Sequence, residues 1–278
     1  MKAHKYILLV MLAFLVACQS DSDISVETPE ETASDTAAMP SLEADTTESG
    51  EELYALIYNG PVAAEGGPDA VAVIAEEIGL AVEFVADMAD LPDLLEGAAI
   101  LVIGGTEDDL GPLYESFTPE VMAALDEYLM DGGRYLGICG GGFLASSGWY
   151  ETDGSFVEML GLIPAESTDY DLENDAPQIV TVEWLGDTYP MYFQAGPLFE
   201  LTGGDEAEVE IIAHYEDGGI AALISSYGEG KVAAIGPHPE ADESWSEEAE
   251  GGEEWVSTAY LLAELLEELL DMGVVTEE

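Results

Sequence analysis

Beyond about residue 50, short continuous apolar runs alternate with stretches whose apolar residues recur at helical spacing, the pattern of strands and helices in succession. Glu52 to Asn59 predicts a first strand, turned by Gly60-Pro61. Pro68 suits the first turn of a helix that carries Val71, Ile74 and Ile78 on one face and stops at Gly79. Ala81 to Val85 predicts a second strand, and the purely apolar Ala99 to Ile103 a third that is buried on both faces. Thr118 caps a helix started by Pro119, with Val121, Met122, Leu125 and Leu129 inward and Gly132-Gly133 at its end. Tyr135 to Ile138 reads as the next strand, and Phe143-Leu144-Ala145-Ser146-Ser147 can open a helix.

The later segments alternate polar and apolar residues. Gln178 to Trp184, Met191 to Phe193, Glu208 to His214 and Ile220 to Tyr227 predict antiparallel strands, with Asp217-Gly218-Gly219 as a hairpin turn. Val256 to Leu270 predicts a closing helix that packs Leu262, Leu265, Leu266 and Leu269 onto the sheet. The expected fold class is α/β, a doubly wound, mostly parallel sheet with an added antiparallel section. About 225 residues suffice for one such domain.

Within this pattern, Gly137-Ile138-Cys139-Gly140-Gly141-Gly142-Phe143 places a lone cysteine where a strand runs into a helix. Small neighbours permit the strained backbone of a nucleophile elbow, and free N–H groups at the helix start can lower a thiol pKa and hold an oxyanion. A small core hydrophobe beside a glycine-rich turn is the alternative. A hundred residues later, the apolar run Val232 to Gly236 ends in Pro237-His238-Pro239-Glu240. His238 and Glu240 then fall at the carboxyl end of a strand, where open α/β sheets place their sites. Pro239 favours an extended His238, so the Glu240 carboxylate can approach its imidazole. Cys139, His238 and Glu240 make a nucleophile, a base and an orienter.

A Cys elbow followed by a late His-Pro-Glu resembles the class I glutamine amidotransferase-like superfamily. The runs Leu56-Ile57-Tyr58-Asn59-Gly60-Pro61, Val102-Ile103-Gly104-Gly105, Gly137 to Gly142 and Tyr192-Phe193-Gln194-Ala195-Gly196-Pro197-Leu198-Phe199 look like the N-terminal domain of biotin protein ligases and its stand-alone bacterial form, over about residues 52–245. The resemblance implies a flavodoxin-like sheet, an oxyanion hole from the Gly105 and Gly140 amides, and pocket positions at Gly60, Gly104 and Gly196. It implies no cofactor. The ligase catalytic domain has no room here, so biotinylation is not expected.

Met1-Lys2-Ala3-His4-Lys5, an apolar Tyr6 to Phe14 and Leu15-Val16-Ala17-Cys18 resemble a bacterial lipobox. Residues 1–17 are then a signal peptide, and acylated Cys18 anchors an outward-facing envelope protein to a membrane. An ordinary signal peptide or an anchor helix would be the alternatives. Residues 18–50 read as a disordered acidic tether, and residues 51–278 as the α/β domain.

The chain holds 60 acidic residues against 4 Lys+Arg, a formal net charge of -56. The acids are spread throughout, while 48% of residues are hydrophobic, so a salt-loving folded protein is expected rather than an acidic polymer. Nucleic acid is not expected as a partner, because so acidic a chain repels phosphates.

Asp169 to Asp175 lacks the glycine and glutamate of a calcium loop and reads as a solvated surface loop. Neither His214 nor any other spacing suggests a metal site. The four tryptophans are assigned to packing. Arg134 and Lys231 hold ion pairs, or contact an anionic substrate if they face the site. Two functions stand open. One is a thiol-dependent amide hydrolase of unknown small-molecule or peptide substrate. The other is a binding lipoprotein that retains the pocket without catalysis.

Overall fold

A computed structural model describes residues 53–272 apart from 108, 151–153, 172–173, 204–207 and 248. The signal-like segment, Cys18 and the acidic tether lie outside the described residues. The elements run β1 (Tyr54–Tyr58), α1 (Gly67–Glu77), β2 (Ala81–Val85), α2 (Leu91–Leu94), β3 (Ala98–Ile103), α3 (Gly111–Ser116), α4 (Pro119–Met130), β4 (Arg134–Ile138) and α5 (Gly140–Ala145). They continue through β5 (Gly148–Tyr150), β6 (Phe156–Glu158), β7 (Ala165–Asp169), β8 (Gln178–Trp184), β9 (Asp187–Phe193), β10 (Pro197–Leu201), β11 (Val209–Tyr215), β12 (Ile220–Tyr227), β13 (Gly230–Ile235), α6 (Glu243–Ser246) and α7 (Ala259–Leu269).

Five parallel strands in the order β2-β1-β3-β4-β13 form the flavodoxin-like half of an 11-stranded sheet. From β13 the sheet continues antiparallel through β12, β11, β8 and β9. A branch pairs β10 with β12 and β7, while β5 and β6 form a separate hairpin. The α/β class and the added antiparallel section are therefore both present.

Alternation along the strands fills two cores. Ala55 and Ile57 face one side with α1 and α7, whereas Leu56 and Tyr58 face the other with α4. Buried Leu261, Leu262, Leu265, Leu266 and Leu269 hold α7 to the sheet, each contributing roughly 2 kcal/mol before ordering costs. Thr118 caps α4 by accepting the Val121 N–H at 3.4 Å. The β11–β12 turn sets Gly218 at φ 88° and bonds the Gly219 N–H to Asp217 Oδ1 at 2.9 Å.

Several boundaries differ from the sequence pattern. The helix after Cys139 starts at Gly140 and ends at Ala145, because the glycines themselves form its first turn. Strand β9 begins at Asp187 and includes Pro190, which is tolerated at the end of the sheet path where no further strand pairs with it. Helix α7 begins three residues late, since Thr258 directs its hydroxyl to Pro239 O at 3.1 Å instead of capping. The Asp169 to Asp175 segment is not wholly a solvated loop. Asp169 closes β7, and Tyr170 stacks on buried Tyr215 with centroids 3.7 Å apart and planes within 5°.

Among the described residues no helix is long and apolar enough to cross a membrane, and no cluster of His, Cys, Asp and Glu is arranged to hold a metal ion.

Candidate active site

Strand β4 passes into α5 through Cys139 alone. Its backbone takes φ 51°, ψ −107°, a conformation that costs a residue with a Cβ about 1–3 kcal/mol. The surroundings enforce it. The Cys139 N–H donates to Ile235 O at 2.8 Å, and Cys139 O accepts the Phe143 N–H at 3.0 Å. A Cβ at Gly141 would collide with the Ile103 carbonyl, so only glycine lets α5 approach the carboxyl end of β3. Cys139 is an almost buried free cysteine, 8% exposed, and its Sγ lies 3.6 Å from Gln194 O, to which the thiol donates.

The second arm leaves β13, the parallel neighbour of β4. Gly236-Pro237 carries the chain to His238, whose N–H donates to Tyr192 O at 2.8 Å. His238 Nδ1 stands 2.8 Å from Glu240 Oε1, with both side chains buried. An ionised carboxylate only accepts, so Nδ1 carries the proton and Nε2 is left as the ring nitrogen able to take one from the thiol. Burial works against a charged imidazole, but the Glu240 carboxylate and the Cys139 sulfur outweigh it and raise the His238 pKa to about 10. The second oxygen, Glu240 Oε2, is buried without a hydrogen-bond partner among the described residues.

The imidazole is held in place from several sides. Tyr192 and Trp245 stand edge-on to it at 5.6 and 5.5 Å between centroids, and edge-on to each other at 5.3 Å. Through Pro239 O, Thr258 ties the His238 loop to the start of α7. A Cβ at Gly105 would come within 2.9 Å of His238 Cε1, so the β3 loop closes against the ring.

Gly104 and Gly105 lie just beyond β3, at the same sheet end as Cys139 and His238. Gly104 O accepts the Gly141 N–H at 3.1 Å, and Gly105 O the Ala64 N–H at 3.0 Å. The amides of Gly105 and Gly140 donate to no backbone carbonyl among the described residues, which leaves them available to an oxyanion. Gly60 acts one step away: its carbonyl accepts the Ala63 N–H at 3.0 Å, and Ala63 bridges Thr106. Gly196 has no room for a Cβ against the Gly236 carbonyl, so its loop packs tightly on the approach to His238.

Arg134 and Lys231 are elsewhere. They sit at the amino ends of β4 and β13, where both pair with Asp271 at 3.0 and 2.9 Å. Substrate contact by either is therefore ruled out in this arrangement, and the ion-pair assignment stands. His214, within β11, directs Nδ1 to the Gly218 carbonyl of its own turn at 3.1 Å. The sequence reading missed Trp245, given to general packing, and Thr258. An open groove of about 640 Å³ is lined by Glu65, Gly66, Asp69, Ala70, Val73, Asp242, Ser244 and Trp245, whose indole stands edge-on to the imidazole. A second, of about 360 Å³, runs along α3 and the start of α4 and contains none of these site residues.

A thiol on a strand–helix elbow, a buried His-Glu pair just beyond the adjacent parallel strand and two glycine amides thus meet at one sheet end of an α/β fold. Solved structures share this fold. A glutamine amidotransferase is similar at 17% identity and TM-score 0.55, covering 77% of this chain and 99% of its own. PurLQS from Thermotoga maritima aligns at 16% identity and TM-score 0.54, over 77% and 98%. A glutamine amidotransferase from Thermotoga maritima aligns at 15% and 0.53, over 79% and 99%. More particularly, residues 86–161 match the family described as biotin-protein ligase, N terminal, a span that includes Cys139 but not His238. No curated protein matches the chain.

Proposed function

We propose that this protein is a thiol-dependent amide hydrolase. The observation that carries the reading is the buried 2.8 Å His238–Glu240 pair, beside a cysteine held in strained elbow geometry. His238 Nε2 takes the Cys139 proton, and the thiolate attacks the amide carbonyl carbon. The carbonyl oxygen becomes an oxyanion facing the Gly105 and Gly140 amides. The imidazolium then protonates the departing amine as the C–N bond breaks, leaving a thioester. Water, deprotonated by His238, attacks the thioester, releases the acid and restores the thiol. Glu240 keeps the imidazole in the required tautomer throughout.

The lipobox-like start supports an outward-facing membrane anchor at Cys18 for this chemistry, with the acidic segment as tether. Free glutamine is a poor candidate substrate for such a protein, because an exported lipoprotein has no evident synthetase to receive ammonia. Incubation with a mixed panel of peptides and small amides, quenched in acid and analysed by intact mass, should trap an acyl adduct on Cys139 that is absent from Cys139→Ser. Saturable binding of panel members with neither adduct nor turnover would instead support a binding lipoprotein.

A further inference from the structure

The loop Gln194-Ala195-Gly196 lies against the Cys139 sulfur but has no task in the steps above. Its shape is over-determined. Ala195 holds φ 47°, in the left-handed region that a Cβ disfavours, and Gly196 is pressed against the Gly236 carbonyl. That conformation brings the Gln194 main chain to 3.6 Å from Cys139 Sγ. Strain persists where the surroundings impose it, and such positions cluster at functional sites.

The Gln194 side chain is exposed yet pinned. The Tyr192 hydroxyl donates to Gln194 Oε1 at 3.0 Å, and the Tyr192 ring stands edge-on to His238. With Oε1 engaged, Nε2 presents two N–H donors that have no partner among the described residues. Among the described residues neither Lys nor Arg competes for an acceptor there, since Arg134 and Lys231 are engaged at the opposite sheet end. The Gly105 and Gly140 amides serve the scissile carbonyl, so a further acceptor on the substrate needs another donor.

We propose that Gln194 is a specificity-determining residue, whose Nε2 donates to a second, neutral carbonyl oxygen next to the scissile bond. The substrates are accordingly peptide-like amides rather than isolated amides. A neutral donor within a strongly acidic chain selects a neutral carbonyl over a carboxylate. This assignment rests on the thiol acyl-transfer reading.

Two alkylating probes separate the claims. Chloroacetone and N-acetylglycyl chloromethyl ketone both form an S–C bond to Cys139 with loss of chloride, and only the second carries an extra carbonyl. In wild type the peptide-like probe should react faster than chloroacetone. Gln194→Leu and Gln194→Glu should each lower the ratio of the two rates about tenfold, as expected for one or two lost neutral hydrogen bonds. A ratio that stays within about twofold in both variants overturns the role of Gln194. A chloroacetone rate indifferent to His238→Ala overturns the nucleophile reading itself, and this inference with it.

Discussion

A methyl group at Gly105 should disable the proposed site without replacing Cys139, His238 or Glu240. An ideal Cβ there lies 2.9 Å from His238 Cε1, whereas ordinary contacts fall at 3.4–4 Å. The ring must therefore yield by about 0.5 Å or more, since repulsion rises steeply inside van der Waals contact. Trp245 and Tyr192 stand edge-on to the ring, so it has little freedom to slide. A shift of that size stretches the 2.8 Å Nδ1–Oε1 bond to the edge of hydrogen bonding, and misplacement of this order costs on the order of 10- to 100-fold in rate. Gly104 is the built-in comparison, because nothing lies within 4 Å of its Cβ position. Second-order rates of Cys139 alkylation by iodoacetamide, measured in molar salt, should fall sharply in Gly105→Ala and far less in Gly104→Ala. Equal rates in Gly105→Ala and wild type, or equal losses in the two variants, would refute the claim that this contact positions His238.

The raised His238 pKa has a definite sign in stability. A folded value of about 10 against an ordinary 6.5 gives stabilisation that is complete below about pH 6.5 and is lost as pH climbs toward 10. Melting temperatures from pH 7 to 10 should thus decline more steeply in wild type than in His238→Ala, and parallel profiles would contradict it. Salt provides a third test: the melting temperature should rise from about 0.05 to 2 M, as the Debye length shrinks toward a few Å, and a flat series would sink the halophilic reading. Cys18→Ser should release the protein from membranes or leave its precursor uncut, whereas unmodified wild type found wholly in the soluble fraction would count against the anchor.

Much of this was legible from residues alone. Ala81–Val85, Gln178–Trp184 and Ile220–Tyr227 are strands with the bounds their patterns suggest, because period and turn residues agree there. The elbow and the His-Pro-Glu segment were readable because strand ends place them. Boundaries failed where a tertiary contact decided. Thr258 has the composition of a cap but bonds Pro239 O, and the glycines after Cys139 look like loop yet form helix, because the sheet end admits no Cβ. Trp245 carried no signal, sitting in an acidic stretch whose approach to the imidazole depends on how α6 folds back. The remoteness of Arg134 and Lys231 was readable in principle. Each stands at the start of the strand whose far end carries Cys139 or leads to His238, so strand direction alone sets them apart.

The hydrogen bond from the Cys139 amide to Ile235 O also orders events in time. The strained elbow is held by a strand from the last quarter of the chain, so closing it requires a long loop and a parallel pairing, both slow steps in folding. Until β13 docks, the Ile235 carbonyl is missing from the contacts that hold the left-handed backbone, and the imidazole that follows β13 is not yet beside the thiol. A nascent or partly folded chain therefore carries an ordinary cysteine. On the proposed nucleophile role, reactivity would arrive only with the completed sheet, and the thiol would be spared premature chemistry before folding is finished.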